Sequence, residues 1–100
     1  MARNRIATDR VALMQRGPIE RALEASLAAG DDGEFYRVVG MRNPSRSYFV
    51  RYGGRLHSLK PVMTHALQEE RSDTLAREFH AADAAERLRV LGFEVEHAGE

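Results

Sequence analysis

Ser47-Tyr48-Phe49-Val50-Arg51-Tyr52-Gly53-Gly54-Arg55-Leu56-His57-Ser58 is the stretch on which the fold class turns. Residues 47–52 are rich in aromatic and β-branched side chains, the composition of a strand. Gly53-Gly54 offers the two positive-φ positions of a tight hairpin turn. Arg55 to Ser58 then reads as the returning strand. On both sides of this hairpin the apolar period changes to that of helices, so the chain reads as α+β.

Upstream, Asn43-Pro44 opposes helix and marks a loop over Met41–Ser45. Before it, Asp31 or Asp32 is placed to cap a short helix through Glu34–Val39, with Phe35, Val38 and Val39 toward the core and Gly40 as its stop. A longer helix starts near Pro18, which suits a first turn. Ile19, Ala22, Leu23 and Leu27 recur along one stripe, with the small Ser26 among them, and Gly30 ends it. Residues 1–16 are ambiguous between a strand and a short helix; they read as a basic, flexible N-terminal segment. Residues 17–97 read as one globular domain.

Downstream, Ser58 is placed to cap a helix carrying Pro61, Val62, Met63, Ala66 and Leu67. Glu69 to Glu78 is polar and reads as a loop. Ala81, Ala84, Ala85, Leu88 and Leu91 outline a last helix that Gly92 closes. Phe93-Glu94-Val95 follows as a short strand or a packed tail. The expected architecture is four short helices around a two-stranded antiparallel hairpin, winged-helix-like. Leu23, Leu27, Phe35, Leu67, Leu88, Leu91 and Phe93 are the expected core.

One hundred residues suffice for one modest core. The absence of cysteine excludes disulfides and thiolate metal sites, and it fits a cytoplasmic location. No apolar run approaches the roughly 18 residues of a membrane span. The basic start Met1–Arg5 has no apolar stretch behind it, so neither a signal peptide nor an anchor is expected.

Net charge is zero, but the charges are not evenly spread. From residue 37 to residue 60 the chain carries Arg37, Arg42, Arg46, Arg51, Arg55 and Lys60 and no acid. Such asymmetry bears on partners. An arginine-edged hairpin followed by a helix start suits phosphate, and Tyr48 and Tyr52, on one strand face, could stack on a base. Arg42, Arg46, Tyr48, Arg51, Arg55, His57 and Lys60 are therefore the candidate DNA-binding residues. The competing reading is a basic face that pairs with the acids of the same chain. Glu20, Glu24, Glu78, Asp83 and Glu86 form an acidic helical set that suits a protein partner equally well.

Catalysis finds no support. There is no nucleophile elbow, P-loop or dinucleotide fingerprint. His57, His65, His80 and His97 lack a recognised metal-ligand spacing, so neither a metal nor another cofactor is expected; His65 reads as a satisfied, partly buried histidine.

From Ile19 to Val95 the chain resembles the N-terminal head domain of McrA-like, modification-dependent HNH restriction endonucleases. The resemblance is carried by Arg21-Ala22-Leu23-Glu24, by Phe35 and Gly40, and by the strand and Gly-Arg turn from Tyr48 to Arg55. Ser58-Leu59-Lys60, His65, Glu78-Phe79 and Arg87 to Val95 complete it. It implies a DNA-associated module linked to restriction, defence or mobile elements. There is no HNH segment in the chain, so the resemblance brings no nuclease activity. The leading expectation is a non-catalytic accessory protein that binds duplex DNA, plain or modified, with no membrane partner. The alternative is a small phage or mobile-element protein that binds and inhibits a host or defence protein.

Overall fold

The computed structural model describes residues 5–41, 47–70 and 79–98, with side chains from Asp9 onward. Among them the chain forms, in order, α1 (Arg5–Ala12), α2 (Arg16–Ala29), α3 (Asp32–Val39), β1 (Tyr48–Tyr52), β2 (Arg55–Ser58), α4 (Leu59–Glu69), α5 (Ala81–Val90) and β3 (Glu94–His97). The fold is α+β, with five helices and one antiparallel sheet of order β2-β1-β3.

Local chemistry explains most boundaries. Pro18 occupies the first turn of α2, where its missing N–H leaves no helical bond unmade. Asp31 caps α3 by accepting the Glu34 N–H at 2.8 Å, and Gly40 ends it in the left-handed region at φ 79°. Gly53 and Gly54 turn the hairpin at φ 59° and 78°. A Cβ on Gly53 would lie 2.7 Å from a Leu27 methyl, so close approach as well as conformation favours glycine there.

Ile19 and Leu23 from α2, Phe35 from α3, Val62, Met63 and Leu67 from α4, and Leu88 from α5 meet in one core with Val50 and Phe79. Helix α4 lies at its centre, packed on α2, α3 and α5 and against β1 and β2. Leu23, Phe35, Leu67, Leu88 and Phe93 are buried as expected, whereas Leu27 and Leu91 are only half-buried.

Several expectations are corrected. The hairpin is not a two-stranded, projecting wing. After α5, Gly92 at φ 93° redirects the chain, and β3 pairs with the second edge of β1, setting Val95 opposite Val50. Of the two alternatives for the N-terminal segment the short helix forms, as α1, which makes five helices and not four. Val11 and Met14 are fully buried, and Arg87 Nε donates to the Met14 carbonyl at 2.8 Å. Val11 and Met14 therefore anchor this segment in the packed body.

Val38 is 60 % exposed, while Tyr36 is buried. The stripe of α3 is centred on Phe35, Val39 and Tyr36, and Val38 falls outside it. Ser58 precedes α4, but its side chain does not cap that helix. Its hydroxyl donates to Asp32 Oδ2 at 2.8 Å and its N–H to Asp32 Oδ1 at 3.2 Å. The expected loops over 41–45 and 69–78 lie largely outside the described residues; within them α4 continues through Glu69.

Candidate functional site

Side chains alternate across a strand, so register assigns each candidate to a face. Val50 is fully buried and defines the inner face. Tyr48 and Tyr52 share it, as do Arg55, paired with Tyr52, and His57, paired with Val50. Arg51 points the other way, beside Leu56 on β2 and Glu94 on β3. Arg51 and Arg55 thus lie on opposite faces of the sheet.

On the outer face, Arg51 is held by two acids. Its Nε is 3.1 Å from Glu94, and its Nη2 donates to Glu96 at 2.7 Å. The Glu96 hydrogen bond, reinforced by both negative charges, raises the guanidinium pKa further above its ordinary value.

On the inner face, Arg55 closes the end of α2. Nη1 donates to the Gly30 carbonyl at 2.6 Å and Nη2 to the Ser26 carbonyl at 2.8 Å. These lie where helix carbonyls lack intrahelical partners and where the helix dipole favours a cation. His57 is fully buried beside it. A carbonyl only accepts, so the 3.0 Å contact with Tyr52 O places the ring proton on Nε2. Nδ1 is then an acceptor, 2.7 Å from Ser26 Oγ and 3.1 Å from Arg55 Nη2. Burial lowers the His57 pKa and the Arg55 charge lowers it further; the Tyr52 carbonyl and Asp32 act in the opposite direction.

The remaining candidates are also engaged. Lys60 Nζ donates to the Phe79 carbonyl and lies 4.3 Å above the Phe79 ring. Tyr48 packs on His97 with ring centroids 4.4 Å apart. The Tyr52 hydroxyl donates to Glu24 at 2.5 Å, a bond that raises its pKa. Arg42 and Arg46 lie outside the described residues. Tyr52, Arg55 and His57 are brought together as an internal clamp on α2, while Arg51 and Lys60 are kept apart from it. His65 is not the satisfied residue expected: its ring stacks on Phe35 at 5.7 Å, yet its buried Nδ1 has no hydrogen-bond partner.

A groove of about 300 Å³ between α1 and α5 is absent from the sequence-based candidates. Ala12 and Val90, over the fully buried Val11, supply its apolar lining, and Asp83, Glu86 and Arg87 its polar lining. Leu13, next to Ala12, is 71 % exposed and Val90 69 %. The spacing of Asp83, Glu86 and Val90 was readable as one helical stripe, but nothing in the sequence placed α1 alongside. The expected acidic set is divided: Glu20 pairs with Arg16, Glu24 accepts from Tyr52, Asp83 and Glu86 line the groove, and Glu78 lies outside the described residues.

Among the described residues no cluster of three or more His, Asp or Glu side chains is placed to hold a metal ion, and no helix is long and apolar enough to cross a membrane. Comparisons of the chain with models of known protein families, with curated proteins and with solved structures find no match.

Proposed function

We propose that this chain is a non-catalytic binding module that acts on or beside duplex DNA, in restriction, defence or mobile elements. The observation that carries the reading is the acid-free segment 37–60, with its six cations. The order of motifs it shares with the McrA-like head domain supports the same reading. Arg55 and Lys60 are spent on backbone carbonyls, so phosphate contact falls to Arg37, Arg42 and Arg46, with Arg51 held only by surface ion pairs. The Arg37 side chain is 80 % exposed, and its pairing with Glu34 is a surface contact that phosphate could displace.

A gel shift on plain and modified duplexes across a salt series tests the proposal. Binding should weaken steeply with salt, and Arg42→Glu with Arg46→Glu should weaken it further while leaving the melting temperature unchanged. Binding that is absent at low salt, or indifferent to these charge reversals, sinks it.

A second reading is favoured by the groove between α1 and α5: the chain binds, and inhibits, a host or defence protein. Leu13 and Val90 are exposed aliphatic side chains at this groove, and apolar surface gathered beside a concavity is suited to a protein contact.

A further inference from the structure

We infer that the α1–α5 groove receives an amphipathic helix of a protein partner, one that brings an aliphatic anchor and flanking lysine or arginine residues. The inference rests on the protein-partner reading and names the partner's chemistry.

Three observations define the occupant. The first is apolar: Ala12 and Val90 line the groove above the fully buried Val11, and Leu13, next to Ala12 in sequence, is an exposed aliphatic side chain. A space of about 300 Å³ suits a leucine, isoleucine or methionine side chain with its neighbours.

The second is charge. Asp83 and Glu86 line the same groove, and among the described residues neither has a hydrogen-bond or ion-pair partner. The one cation present, Arg87, already spends its Nε on the Met14 carbonyl. The lining is therefore net acidic, which repels nucleic-acid phosphate and selects a basic partner.

The third is shape. The groove runs between two packed helices and is not at the sheet edge, so added-strand recognition is unavailable there. A third helix laid along two others is the geometry that remains. Val90 belongs to the stripe Asp83, Glu86, Arg87 and Val90, which places the anchor toward one end and the acids along the rest.

The test is selection of the full chain against a displayed library of helical peptides, randomised on one face. Enriched peptides should carry an aliphatic residue with Lys or Arg three or four positions away. In NMR titrations they should shift the amides of Val11–Leu13 and Asp83–Val90. Val90→Glu should weaken them at least about tenfold, the loss expected for a central anchor. Asp83→Lys with Glu86→Lys should reverse the charge preference toward acidic peptides. Both changes are surface substitutions, and unchanged melting temperatures verify that the fold persists. Binders that map elsewhere overturn the groove and leave the protein-partner reading standing; failure to enrich any binder overturns both. Self-association of the chain through the groove, or duplex DNA shifting the same amides, also overturns the inference.

Discussion

The Arg55 guanidinium donates to the Gly30 carbonyl at 2.6 Å and so fastens the hairpin to the end of α2. A second bond, to the Ser26 carbonyl, shares the task. On the sheet's other face, Arg51 meets only glutamates that are themselves exposed or half-exposed. Arg55→Ala should therefore cost about 1–3 kcal/mol, because it removes the donor to the part-buried Ser26 carbonyl. Arg51→Ala should leave the urea midpoint nearly unchanged, as exposed ion pairs do. Equal sensitivity at the two positions would contradict the assignment of faces.

His57 gives the fold a pH dependence with a definite sign. Its folded pKa lies below the ordinary value of about 6.5, so the unfolded chain binds the proton more readily. The stability this neutral ring contributes is present above about pH 6.5 and is lost as pH falls toward the folded pKa. Urea midpoints measured from pH 8 down to about 5 should fall on the acid side, before most carboxylates titrate. His57→Gln, which retains a donor for the Tyr52 carbonyl, should flatten that limb. An unchanged slope in the variant would assign the effect to other groups.

The N-terminal helix should prove structural. A chain beginning at Gln15 loses Val11 and Met14, both fully buried, and the acceptor of Arg87. It should melt far below the full chain or fail to fold. Leu23→Ala and Leu88→Ala should each cost about 2–5 kcal/mol. Leu13→Ala and Val90→Ala, on exposed side chains, should stay within about 0.5 kcal/mol. A shortened chain with an undiminished melting temperature would return residues 1–14 to the role of an appendage.

His65 is a site where the fold should accept improvement. Its buried Nδ1 has no partner, and an unsatisfied polar atom costs desolvation that no bond offsets. His65→Leu should leave thermal stability equal or raise it by up to about 1 kcal/mol, because the replacement keeps an apolar contact for Phe35. A clear loss of stability would mean that the imidazole has a partner, such as an ordered water.

Much of the fold was legible because its signals are local. Gly53-Gly54 could serve only a tight turn, since few other residues adopt positive φ at two consecutive positions. The stripes of α2, α4 and α5 were readable from spacing, and Asp31 from its cap chemistry. α1 was not readable, because it forms only two turns and most of its order comes from packing on α5. Val38 was misplaced because eight residues define a helical phase too loosely to rank neighbouring apolar positions.

By itself the sequence determined the α+β class, the hairpin, three helical stripes and an acid-free run of six cations. Tertiary structure alone decided which partners Arg51, Arg55 and Lys60 meet. Charge is counted along the chain, whereas electrostatic work depends on which groups meet through space, and a strand alternates its faces at every residue. Arg51 and Arg55 are near neighbours in sequence, yet β1 and β2 send one to two glutamates on the outer face and the other to the carbonyls ending α2. The groove between α1 and α5 arises in the same way, from two segments more than sixty residues apart that acquire a shared surface only on packing.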